Sequence, residues 1–140
     1  MSTEQRKQNA VKLLHASASG DVEAVRELIN DDFQFRFMQK ASTWSADGEE
    51  MSATLDKENY LAYGVPVSKQ ITRDGMHFTE ELIIADGDYI VVFGHSNAVS
   101  LKGEPYNNNY CWRMRFTGDG ISELYEYCDT HHAHEVLFGE

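Results

Sequence analysis

Between residues 67 and 129 the chain is a succession of alternating apolar and polar stretches cut by glycine turns, and this pattern leaves few folds open. Asp86-Gly87-Asp88 separates 80–85 from 89–100. Lys102-Gly103-Glu104-Pro105 leads into 106–116, and Gly118-Asp119-Gly120 leads into 121–129. Asp74-Gly75 is a turn or a bulge within the first long segment. Alternation marks strands buried on one face, and short connections pair successive strands antiparallel. Such a sheet needs something to cover its apolar face.

The upstream sequence supplies the cover. Ser2 and Gln5 have capping-box spacing, and Ala10, Val11, Leu13, Leu14 and Ala18 follow a helical period. Gly20 can end that helix and Asp21 can cap the next, which carries Val22, Val25, Leu28 and Ile29 on one face until Asn30-Asp31-Asp32 breaks it. Phe33, Phe35 and Phe37 alternate as a short strand. Residues 39–53 read as a long loop around Trp44, of the kind that closes over ligands. A third helix is expected over 55–63, stopped by Gly64 and Pro66, and the tail THHAHEVLFG reads as a final helical turn or two. Helices segregated from consecutive strands predict one α+β domain over 1–140. Its curved antiparallel sheet is expected to wrap around the helices and enclose one internal pocket. The expected core includes Leu13, Val25, Leu28, Phe35, Ile84, Val92, Met114 and Leu124.

Charge removes several classes of partner. With 12 Lys+Arg against 23 Asp+Glu the net charge is −11, which speaks against nucleic acid and against anionic membrane surfaces. MSTEQRKQNA lacks the apolar core of a secretory signal, and no apolar run approaches membrane-spanning length, so a soluble cytoplasmic protein is expected. Cys111 and Cys128 lie inside strands, where cysteine acts as a small buried apolar residue. His131, His132 and His134 lack the spacing of strong zinc signatures, so no metal is expected.

Tyr106, Asn108, Tyr110, Trp112, Met114 and Phe116 share the face of 106–116 expected to line the concave side. In the last strand Leu124, Glu126 and Cys128 share one face and Tyr125, Tyr127 and Asp129 the other, so Asp129 reaches a pocket only if the strand end twists or bulges. A carboxylate on an inward face is costly unless paired or protonated. Glu126 is therefore either a pocket acid/base or an exposed strand end. Asp129, before Thr130, is either a second acid or a helix N-cap.

Three stretches carry a family resemblance: LLHASASGDVEAVRELINDDFQFRF, the pair YNNNYCWRMRF and DGISELYEYCDT, and HEVLFG. They resemble the opening helix pair and first strand, the last hairpin and the closing helix of the nuclear-transport-factor-like superfamily, in its SnoaL-like, ketosteroid-isomerase-related branch. The resemblance spans nearly the whole chain. It implies a small-molecule ligand, no cofactor, and a homodimer paired sheet to sheet. It also places Phe93, His95, Asn97 and Val99 on the inward face. Ketosteroid isomerase machinery would fall at Phe37, Trp112 and Leu13, none of which supplies its groups. An Asp–His dyad would need Asp31 or Asp32 to meet His77 or His95, and Arg113-Met114-Arg115 lacks the acid of an epoxide-hydrolase triad. The SnoaL-like pattern leaves Glu126 and Asp129 as acid/base candidates, with His95 sharing the proton and Asn97, Asn108 and Tyr110 as donors beside Trp112 and Trp44. The expected function is a cofactor-free lyase, isomerase or cyclase acting on a small hydrophobic or carbonyl compound. The other reading is a non-catalytic binding or dimerisation module.

Overall fold

The first helix forms because its ends are satisfied locally. In the computed structural model, which describes residues 1–37, 42–44, 50–52 and 54–139 (backbone alone for 42–44 and 50–52), Ser2 Oγ accepts from the Gln5 amide at 3.1 Å and Gln5 Oε1 accepts from the Ser2 amide at 2.9 Å. This capping box opens α1 (Thr3–Ser19), which ends at Gly20 with φ 76°, a conformation that favours glycine. Asp21 then accepts from the Ala24 amide at 3.2 Å and starts α2 (Val22–Leu28).

Seven strands make the main sheet: β1 (Ile29–Phe37), β4 (Thr54–Asp56), β5 (His77–Asp86), β6 (Tyr89–Val99), β7 (Pro105–Tyr106), β8 (Asn109–Thr117) and β9 (Gly120–Cys128). Their order is β4-β1-β9-β8-β6-β5, with β7 paired to β6. The α+β class and the curved, helix-closed sheet are as the sequence pattern implies. One pairing is not: β1 runs parallel to β9, so the sheet is mixed. Hairpin turns dictate antiparallel neighbours, but no turn joins these two strands and so none constrains their direction.

Two stretches depart from their local signals. Within 39–53, read as loop, β2 (Ser42–Trp44) pairs with β3 (Glu50–Ser52) as a small hairpin. The third helix is displaced: Leu55 lies in β4, and α3 (Lys57–Asn59) runs into a π turn over Tyr60–Gly64. Pro66 does not stop the helical path, because proline is compatible with a helix start, and α4 (Val67–Ile71) follows it. The first long strand therefore begins at His77. The tail forms α5 (Thr130–Ala133) and a second π turn over His134–Phe138.

One apolar cluster fills the concave side. Leu13, Val25, Val92, Met114 and Leu124 are buried in it as expected, while Leu28 and Phe35 are half-buried at its edge. Ile84 is 45% exposed, against expectation. The cause is a register shift between Glu80 and Leu82 in the β5–β6 ladder, which turns Ile83 and Ala85 inward in its place.

Candidate active site

Cross-strand register brings five side chains into one inward row. Ile83, Val92, Trp112, Glu126 and Phe37 are successive partners across β5, β6, β8, β9 and β1. Four are apolar and one is a carboxylic acid. The adjacent row holds Gly94, Tyr110 and Cys128. Gly94 has a steric reason: a Cβ there would stand 2.3 Å from the Thr79 carbonyl oxygen and 3.3 Å from the Trp112 ring.

Glu126 borders a cavity of about 320 Å³. Phe35, Phe37, Tyr60, Phe78 and Tyr110 form much of its wall, and Leu137 and Phe138 reach it from the C-terminal turn. Trp112 lies behind this wall, fully buried, and its indole N–H donates to Glu126 Oε1 at 2.8 Å. The indole stacks on Tyr110 with centroids 4.9 Å apart and 4° between planes, and Phe78 meets both rings edge-on. These contacts hold the donor, and so the carboxyl, in one place.

The environment sets the protonation of Glu126. Burial pushes its carboxyl up to about 7, and the Trp112 hydrogen bond opposes this only in part. No Lys, Arg or His is among the described lining residues, so none of them supplies a cation to hold the carboxylate down. Burial raises the Tyr60 and Tyr110 phenols, with the Glu126 charge adding to it. Tyr106 is pushed up to about 12, and so is the Cys128 thiol, both chiefly by burial. The Glu126 charge adds to the upward shift of all four groups.

A hydroxyl chain reaches the same cavity. The Asn108 side-chain amide donates to the Asp129 carbonyl and to Tyr106 Oη, each at 2.9 Å, while its own oxygen accepts from the Asn109 amide. The Tyr106 and Tyr110 hydroxyls are 2.7 Å apart. Tyr60 Oη donates to Ser17 Oγ at 2.7 Å on the helix side.

The sequence-derived candidates separate under this geometry. Glu126 and Tyr110 line the cavity, with Trp112 and Asn108 behind it. His95 and Asn97 do not: β6 turns Val92, Gly94, Ser96 and Ala98 inward, so His95 is on the outer face, with Nδ1 2.6 Å from Glu81 Oε1. A one-residue offset exchanges the two faces of a strand, and the resemblance-based alignment carried that offset. Asp129 is exposed and caps α5, accepting from the His131 and His132 amides at 3.0 and 3.2 Å. Trp44 lies in β2, and its side chain is outside the described residues.

Tyr60, Tyr63, Phe78 and the C-terminal Leu137 and Phe138 were not singled out from the sequence. The available signal was the Tyr60–Tyr63 spacing beside Gly64, where a Cβ would come 2.5 Å from the Tyr60 ring. The histidines of the tail have other roles: His131 meets Glu135 at 3.1 Å, and His132 stacks on Tyr106. Among the described residues no three His, Cys, Asp or Glu are placed to hold a metal. A wider groove of about 630 Å³, between α1, α2 and the start of β5, is lined by Lys12, His15, Asp21 and Glu27 and shares Met76 and Phe78 with the cavity. Its charged side chains come from the outer surface of the helices, whereas the smaller cavity sets a carboxyl among aromatic rings, so the smaller cavity is the candidate site.

A model of the SnoaL-like domain matches residues 10–124, stopping just short of Glu126. A search of curated proteins returns no significant match. Among solved structures, wild-type IdmH from Streptomyces antibioticus, a candidate polyketide cyclase, is 22% identical over 89% of this chain and 92% of that one, with a TM-score of 0.69. An NTF2-like protein from Burkholderia pseudomallei is 15% identical over 99% of both chains, with a TM-score of 0.75. A candidate SnoaL-like polyketide cyclase from Jannaschia sp. CCS1 is 13% identical over 100% of this chain and 97% of that one, with a TM-score of 0.74. At these identities the likeness is one of fold.

Proposed function

The chain belongs to the SnoaL-like domain family, and from that premise we propose that its cavity is the site of a cofactor-free lyase, isomerase or cyclase reaction in which Glu126 is the general acid/base. The observation that carries this reading is a carboxyl in an aromatic cavity, held by Trp112 and pushed up to about 7. A base titrating near the working pH combines a useful ionised fraction with enough basicity to take a proton from carbon. Phe37 and Trp112, where ketosteroid isomerase would carry acids, are the cross-strand neighbours of Glu126. The acid of this chain stands on the strand between them.

The chemistry follows from the arrangement. The Glu126 carboxylate takes a proton from the carbon next to a substrate carbonyl. The C–H electron pair becomes the C=C bond of an enolate, and the negative charge moves to oxygen. Tyr110 donates to that oxygen, a role supported by the hydrogen bonds that link its hydroxyl to Tyr106 and Tyr106 to Asn108. Where a β,γ-double bond extends the enolate to a dienolate, returning the proton to the γ-carbon isomerises the substrate, whereas attack of the α-carbon on a second carbonyl closes a ring and the new alkoxide takes the proton back from Glu126. Carbon-detected NMR titration of the Glu126 carboxyl is the direct test. A midpoint near 7 is expected. A midpoint at or below the ordinary glutamate value of 4.5 removes Glu126 from this role.

A specific observation also favours self-association. On the outer face Leu82, Phe93, Cys111 and Tyr127 form one cross-strand row. Beside it the guanidinium of Arg113 lies 4.0 Å, and that of Arg36 4.7 Å, from the centroid of Tyr125. Exposed apolar rows of this kind mark interaction surfaces. In the proposed arrangement two copies pair through this face, and the non-catalytic module reading rests on the same surface. Light scattering coupled to size exclusion should give a dimer that Phe93→Glu converts to monomer. A monomeric parent protein sinks the pairing and leaves the cavity reading intact.

A further inference from the structure

The cavity has a buried end and an apolar, exposed end. Tyr60, Tyr106 and Tyr110 around Glu126 are all buried. At the other end Tyr63 is 69%, Val67 38% and Phe138 56% exposed, although all three line the same cavity. They come from three separate pieces of chain: the π turn Tyr60–Gly64, the start of α4, and the C-terminal π turn. Such π turns recur at functional sites, and here each places an aromatic ring on the rim. The apolar wall therefore continues out of the cavity onto the surface.

Volume makes this continuation informative. A cavity of about 320 Å³ has room for only about ten water-sized groups at about 30 Å³ each. A ligand confined to it would touch only the sides of Tyr63, Val67 and Phe138 that face the cavity and leave their outer apolar surface exposed. A longer ligand would cover them and gain from doing so.

We infer that the substrate is elongated, with its carbonyl head at Glu126 and Tyr110 and an apolar tail that leaves the cavity across Tyr63, Val67 and Phe138. This deepens the proposed acid/base reading and rests on it. The substrate class is an enolisable carbonyl compound on an alkyl or acyl chain, longer than the cavity is deep. The head is fixed by one carboxyl and one hydroxyl, and the tail is held by burial alone. Selectivity is therefore sharp at the head and graded with chain length at the tail.

A series of n-alkyl methyl ketones, with chains from butyl to undecyl, tests this. Binding is read from the Trp112 indole N–H resonance, since that proton is held by Glu126. Each added methylene should tighten binding about fourfold while it is being buried. The heptyl ketone has about as many non-hydrogen atoms as the cavity has water-sized places. The gain should nonetheless continue to the longer members. In Tyr63→Ser/Phe138→Ser the gain should persist for the short ketones and vanish beyond heptyl, and Phe138→Leu should restore much of it. Both rings are exposed, so these variants should fold, and unchanged amide spectra would show it. A parent protein whose affinity stops rising at the heptyl ketone overturns the tail and leaves the acid/base reading standing. A gain beyond heptyl that the double variant does not reduce also overturns it. If no ketone of any length moves the Trp112 signal, the tail and the carbonyl reading fall together.

Discussion

A Glu126→Gln variant should exchange deuterium into benzylacetone roughly 100- to 10,000-fold more slowly than the parent protein, the range typical for loss of a positioned general base. Benzylacetone suits the test because it is enolisable and about the size of the cavity. Glutamine keeps the shape of the side chain, and its oxygen can still accept from the Trp112 indole, so binding should survive. Loss of rate with retained binding separates a base from a packing residue. The parent rate should rise with pH as the carboxyl ionises, through about 7. Tyr110→Phe should slow exchange less, because it removes one donor and leaves the base. An unimpaired Glu126→Gln variant would return this acid to a structural role.

The same carboxyl should make the protein less stable as pH rises. The folded state holds the Glu126 proton up to about 7, against an ordinary value of 4.5. Between these values the folded state binds more proton than the unfolded chain, and stability therefore falls with rising pH. The contribution is fully present below the unfolded value and is lost once pH has passed the folded one. The size of the shift corresponds to roughly 3 kcal/mol. Urea unfolding of the parent and of Glu126→Gln across this range isolates the effect, since the other carboxylates cancel in the difference. The variant should match the parent near pH 4 within about 1 kcal/mol and be the more stable by roughly 3 kcal/mol near pH 8. A difference that stays constant with pH would mean that the Glu126 carboxylate is well solvated in the folded protein.

Much of the fold was legible because the relevant signals are local. The Ser2–Gln5 capping box, the glycine ending at Gly20 and the Asp21 cap each act within a turn of backbone, and each is found where the residues imply it. The hairpins at Gly87 and Gly118 follow from glycines with φ 56° and 62°. The pocket face of β8 and β9 was readable for the same reason: alternation in a regular strand has one phase, and it put Tyr110, Trp112 and Glu126 inward together.

The errors arose where local alternation did not determine the phase. The sequence of β5 and β6 is apolar at both parities, with Ile83 and Ile84, or Val92 and Phe93, side by side. Composition cannot then choose the buried face, and the irregularity after Glu80 chose it in β5. His95 and Asn97 were misplaced on β6 because the resemblance was off by one residue, and one residue exchanges the faces of a strand. Asp129 fitted two roles by sequence, and the start of α5 decided for the cap.

What the sequence determined by itself was therefore the opening helix pair with its caps, the later hairpins, and the inward phase of the last one. All of these depend on bonds and sterics between residues close along the chain. Only the tertiary structure decided the parallel pairing of β1 with β9, the aromatic wall from Tyr60, Phe78 and Phe138, and the protonation of Glu126. Each depends on which distant segments exclude water from the same place. Desolvation is a property of the assembled surroundings, and no single stretch of sequence carries it.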